Sequence, residues 1–118
     1  DLYSLRKYGF NMVFRPCSYD IHQDHRVVYE EARRAFKNIT IWDYELPWNT
    51  LSVTLNGHRP LLKTDINLKI NALRCFESQS NRKYMNPDFI YSWARTRGIC
   101  LNGDVEVSES FEIINHIL

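Results

Sequence analysis

FNMVFRPCSYDIHQDHRVVYEEARRAFKNITIW, residues 10–42, is the stretch that decides how this chain folds. It opens on a short apolar run, Phe10 to Phe14, closed by Arg15-Pro16. A short run of this kind, with Met12 and Val13 inside it, is what a strand covered on both faces carries. The run is therefore expected to sit centrally in a sheet, with helices on both sides. Cys17-Ser18-Tyr19-Asp20 reads as a turn. From about His22 to Lys37, a helix places His25, Val28, Tyr29, Ala32, Ala35 and Phe36 on one stripe. Its basic end, with Arg33, Arg34 and Lys37, suits the negative pole of the helix dipole. Asn38 stops it, and Ile39-Thr40-Ile41-Trp42 starts a second strand. Strand, helix and strand over this length make a βαβ unit, in which the two strands run parallel through a right-handed crossover.

Upstream, Leu2, Leu5 and Tyr8 keep helical spacing until Gly9 stops them. Downstream, Tyr44 to Asn49 forms a loop. Leu51, Val53 and Leu55 alternate with polar residues like a half-buried strand, and Asn56-Gly57 reads as a turn. Leu62, Ile66, Ile70, Leu73 and Phe76 mark a long amphipathic helix to about Ser80. Asn86-Pro87 opens another, with Pro at its first position and Gly98 at its end. Phe76, Phe89 and Trp93 read as core. Val105 to Val107 and Phe111 to Leu118 supply a final strand or helix.

The chain has 118 residues, of which 44% are hydrophobic and 25% charged. That length suits one small domain or a piece of a larger one, and the composition excludes collagen-like and disordered classes. No apolar run approaches the ~18 residues of a membrane span, so a soluble, cytoplasmic protein is expected. The first residue is Asp, and the chain is expected not to begin where translation began. The net charge is +1, too small for a general attraction to nucleic acid or anionic lipid. It is unevenly spread. Residues 59–97 are basic and residues 98–118 acidic, which suggests a solvated basic helical face with an acidic terminal strand folded near it. Cys17, Cys75 and Cys100 are few, odd in number and far apart. They read as buried free thiols in a reducing compartment.

Tyr19-Asp20-Ile21-His22-Gln23-Asp24-His25 carries the chemistry. Two histidines and two carboxylates fall where a strand ends and a helix begins, the ligand side of an open α/β sheet. His22 and His25 share a helix face. The positive helix N-terminus favours neutral imidazole, the form that binds metal. Asp24 is placed to orient a histidine through its second ring N–H. The plainer reading is that Asp20 or Asp24 caps the helix and the histidines are partly buried polar residues. Cys17 would extend the pattern to Cys-x4-His-x2-His, which is not a structural zinc spacing. Tyr19 could hydrogen-bond a reacting oxygen. Arg15 and Trp48 could line a sugar site, Arg suiting phosphate and Trp the face of a pyranose. Glu45 could hold its loop or bind a hydroxyl. His58 and His116 read as surface residues.

These segments resemble the LmbE-like (PIG-L-type) zinc-dependent N-deacetylases. The resemblance rests on Asp20 to Val28, Glu30 to Phe36 and Tyr44-Glu45-Leu46-Pro47-Trp48-Asn49. It continues through Lys69, Ala72, Leu73 and Ser78-Gln79, then Trp93 to Gly98, and ends at Glu109-Ser110-Phe111-Glu112. It spans nearly the whole chain but only the C-terminal half of the family's domain. It implies the C-terminal portion of a Rossmann-like three-layer α/β fold with a mostly parallel sheet. It also implies hydrolysis of the N-acetyl amide of a sugar, typically an N-acetylglucosamine conjugate. His25 matches a zinc ligand, His22 the histidine that assists the tetrahedral intermediate or leaving amine, and Asp24 the residue that orients His22. The other two zinc ligands and the general base belong to an Ala-His-Pro-Asp-Asp motif that this sequence lacks. The isolated chain is therefore expected to be inactive and to self-associate or pair with the missing N-terminal half. The alternative is a non-catalytic truncated relative serving as a carbohydrate-binding or structural module.

Overall fold

Gly9, at φ +69°, ends the first piece of regular structure, a 3-10 helix over Leu2–Tyr8 whose N-terminus is capped by the Asp1 carboxylate. The left-handed conformation costs glycine nothing, because it has no Cβ. A computed structural model describes residues 1–117, and the elements follow in chain order. They are β1 (Met12–Pro16), α1 (Gln23–Ala35), β2 (Thr40–Tyr44), β3 (Gly57–Leu61), α2 (Lys63–Leu73), α3 (Pro87–Gly98) and β4 (Val107–Asn115). Short 3-10 turns cover Glu77–Gln79 and Lys83–Met85. Among the described residues, no helix is long and apolar enough to cross a membrane.

The βαβ unit is present. β1 and β2 run parallel, with Phe14 opposite Trp42 and Arg15 opposite Asp43. The strand order is β1-β2-β4-β3, and β2 pairs antiparallel with β4. The sheet is thus mixed, where a mostly parallel one was expected. The chain enters its last strand from the opposite end of β2. The four-stranded α/β class stands, in a coarser form than the three-layer Rossmann-like one.

The chain divides into two compact units, Asp1–Gly57 with the segment from Ser110 onward, and His58–Glu109. In the first unit, Ala32, Ala35 and Phe36 of the α1 end are buried against Leu2, Val13 and Ile39. Alternation along β1 turns Val13 and Arg15 toward α1 and Phe14 away from it. β1 lies at the edge of the sheet, not its centre, and Phe14 is exposed. Phe14 is apolar because it packs sideways on neighbouring rings, Trp42 at 6.1 Å and Phe111 at 5.6 Å between centroids. Val28 also lies exposed, outside the buried stripe of α1.

In the second unit, Ile66 and Ile70 of α2 pack with Ile90 and Ala94 of α3 and with Val107. The Asn86 side chain accepts the Asp88 N–H at 2.8 Å, so α3 starts where Asn-Pro predicts. The expected long helix stops at Leu73, and Phe76 is exposed rather than core. Residues 51–56 form no strand, and Gly57 opens β3 in place of the expected turn. The last apolar stretch is a strand ending at Asn115, and Leu118 lies outside the described residues. The basic and acidic blocks meet as expected: Lys63 pairs with Glu106 at 2.7 Å and Lys69 with Glu109.

Gly98 closes α3 through crowding rather than a left-handed cap. A Cβ there would stand 2.5 Å from the Glu106 carbonyl oxygen. Gly98→Ala is therefore expected to destabilise the protein by about 1–3 kcal/mol, because the blocking atom is backbone. A lowered urea midpoint at unchanged slope is the readout.

Candidate functional site

The site is built at the junction of β1 and α1. Asp20 is buried, with 2% exposure, directly after the β1 turn. It is held there from three sides. Its backbone forms an isolated bridge with Thr50, its N–H donates to the Cys17 carbonyl at 3.2 Å, and the next N–H, of Ile21, reaches the Asn49 carbonyl. Its carboxylate then divides its two oxygens. Oδ1 accepts the His22 backbone N–H at 2.8 Å. Oδ2 stands 2.8 Å from His25 Nδ1.

His22 is the N-cap of α1, and its Nδ1 accepts the Asp24 backbone N–H at 3.2 Å. The two imidazoles stack, with centroids 4.5 Å apart and 28° between planes. Their partners assign opposite tautomers. In its neutral form His25 donates its Nδ1–H to Asp20 Oδ2, which leaves the Nε2 lone pair available. His22 uses its Nδ1 lone pair on Asp24, which leaves Nε2 protonated. Neighbouring rings thus offer one acceptor and one donor. His25 is half-buried and His22 exposed.

The expected orienting role of Asp24 is corrected here. Asp24 touches His22 through its backbone N–H, and the carboxylate that orients an imidazole is Asp20, acting on His25. In the sequence Asp20 read only as a helix cap. The missed signal was a carboxylate two residues before the cap, where it reaches both the first free N–H and a side chain one turn into the helix.

The loop Tyr44–Thr50 is clamped beside the site. Thr50 Oγ1 accepts the Leu46 N–H at 3.2 Å and meets Cys17 Sγ at 3.5 Å. Thr50 was not foreseen. Burial pushes the Cys17 thiol up, the bond to Thr50 opposing and the Asp20 and Glu112 charges adding. Cys17 is accordingly a protonated packing group. Cys75 and Cys100 are free but exposed, contrary to the buried thiols expected. Tyr19 and Trp48 expose their rings and Glu45 is half-buried. Among the described residues, no group of three or more His, Cys, Asp or Glu stands where a metal ion would be held.

Arg15 does not line a surface. Its side chain has no exposure, nor has that of Asp43, which it meets at 2.6 and 3.1 Å. It also donates to the Tyr29 carbonyl at 2.9 Å and lies 4.1 Å from the centre of that residue's ring. Burial pushes the Asp43 carboxyl up to about 6, against the pull of Arg15 and with help from the Glu112 charge.

No protein-family model matches the chain, and neither does any curated protein or solved structure with which it was compared.

Asp20→Asn keeps the shape and the contact with the His22 N–H, but offers an amide donor where His25 now finds an acceptor. It is expected to move the His25 proton from Nδ1 to Nε2, readable in the ¹⁵N shifts of the ring. The folded state also retains a proton on Asp43 that the unfolded chain has released once the pH passes the ordinary carboxylate value. This group's contribution to stability is therefore full at acid pH and lost as the pH rises through about 6. Melting curves across that range, for the protein and for a variant replacing both Arg15 and Asp43 with apolar residues, isolate the effect. Arg15→Met alone strands Asp43 and is expected to cost about 3–5 kcal/mol, more than the double replacement.

Proposed function

We propose that this chain forms part of a zinc-dependent hydrolase that removes the N-acetyl group from a sugar, in the manner of the LmbE-like deacetylases it resembles. The observation that supports this most is the Asp20–His25 bond at 2.8 Å. Carboxylate on one ring nitrogen and lone pair on the other is the arrangement found behind metal-bound histidines. The donor set fits zinc as one ligand. Catalytic zinc takes three protein ligands, so the others must be brought to His25 from outside the described cluster. The resemblance assigns them to an Ala-His-Pro-Asp-Asp segment.

When bound, zinc polarises an amide carbonyl and activates water. The chain's own residues do the rest. Asp20 holds the His25 ring in its ligand tautomer. His22 presents Nε2–H beside it, placed to donate a hydrogen bond to the oxygen on which charge would develop at the carbonyl. Trp48 and Tyr19 offer exposed ring faces suited to a pyranose, and Glu45 a carboxylate for a hydroxyl. Three free cysteines, two of them exposed, suit a reducing cytoplasm.

One observation favours the second reading, a binding or structural module. β1 is an open edge, and the face beside it exposes Phe14 over Trp42. An unpaired edge next to an apolar face is a site for pairing with another strand. Self-association or pairing with a complementary segment follows on either reading.

Zinc added to the chain is expected to perturb the His25 ring weakly and selectively. His25→Ala should abolish the effect, and Asp20→Ala should weaken it about 10–100-fold. The chain alone is expected to release no acetate from N-acetylglucosamine conjugates. Zinc that leaves both imidazoles unmoved would refute the ligand role. Turnover by the chain alone would refute the incomplete site.

A further inference from the structure

We propose that the end of the first unit formed by Leu2–Tyr8, Phe10 and the last turn of α1 binds an anionic lipid surface. The 3-10 helix Leu2–Tyr8 buries none of its residues. It turns Tyr3, Leu5 and Tyr8 to solvent, and Phe10 follows them at 51% exposure. Cations are set among these rings. Arg6 lies 6.0 Å from the centre of the Tyr3 ring and Lys7 5.1 Å from that of Tyr8. The α1 end adds Arg33 and Lys37, both exposed.

The nearby acids offset only part of this charge, with Glu30 exposed on α1 before its basic end. Glu31 is held by Arg34 at 2.8 Å, and the Asp1 carboxylate is turned to the Tyr3 N–H. Among the described residues, Arg6, Lys7, Arg33 and Lys37 make no ion pair. Between the two segments lies a cavity of about 180 Å³, lined by Arg6 and Lys37 and by Phe10, Phe36 and Ile39. A cation-rimmed apolar hollow accepts a phosphate headgroup with the first carbons behind it.

Aromatic and aliphatic side chains interleaved with Lys and Arg are the chemistry of the membrane interface, where rings enter the headgroup layer and cations meet lipid phosphate. A nucleic acid would use the cations but leave Leu5 and the apolar cavity without a role. The chain's net charge of +1 conceals this local excess. α1 has 13 residues, so its two ends lie about 20 Å apart. Docking at its C-terminal end leaves the imidazole pair at its N-terminus open to solvent.

The test is flotation of the full chain with phosphatidylcholine vesicles, with and without phosphatidylglycerol, and with a single-stranded oligonucleotide as a competing polyanion. Binding is expected only to the anionic vesicles, falling with added salt. The combined change Arg6→Gln, Lys7→Gln and Lys37→Gln should lower it at least about tenfold. Tyr8→Ser with Phe10→Ser, which keeps every charge, should also lower it. All five residues are exposed, and an unchanged thermal melt verifies that each variant folds. Equal binding to neutral vesicles, no loss in either variant, or displacement by the oligonucleotide would overturn the proposal.

Discussion

Arg15 and Asp43, without exposed side-chain surface, are the contact on which the first unit depends. The pair bridges β1 to β2, and Arg15 carries the link on to α1 through the Tyr29 carbonyl and ring. Three elements are thus keyed to one guanidinium. A buried charge tolerates no slip, since moving it off its partner leaves both ions desolvated and unpaired. An apolar contact in the same place would let α1 slide or rotate at little cost. The helix that carries His22 and His25 is therefore seated with a definite rotation over the strand that leads to Asp20.

That seating gives the imidazoles their chemistry. Asp20 takes the first free N–H of α1 with one oxygen and orients His25 with the other. Helix initiation and ring orientation are the same carboxylate's work. The cap on His22 uses the nitrogen that would otherwise compete for a proton. The result, in the neutral rings, is a donor and an acceptor on stacked imidazoles 4.5 Å apart.

Much of this was legible in the sequence where local rules dominate. The βαβ segment, the Asn86-Pro87 start of α3 and the Gly9 stop follow from propensity, capping and backbone conformation, which act within a few residues. The readings that failed depended on distant partners. Phe10 to Phe14 looked central because apolarity does not distinguish burial in a sheet from lateral packing of rings. Arg15 looked like a surface contact because its counterion lies 28 residues on. Leu51, Val53 and Leu55 alternate like a strand, yet strands exist only where a neighbour pairs with them. Gly98 reads as a helix stop on either account, and only the Glu106 carbonyl shows that the cause is crowding.

The sequence by itself determined that a histidine pair would share the first turn of a helix directly after a strand, since three-residue spacing and the β–α boundary are local properties. Tertiary structure decided which carboxylate serves which ring. Asp20 and Asp24 are equivalent by composition and nearly so by position. Only the bridge to Thr50 and the burial behind it turn Asp20 inward to His25, while Asp24 faces solvent at the helix start. Tertiary structure also decided that the sheet is mixed, because strand direction depends on where the chain re-enters the sheet, which no local pattern encodes.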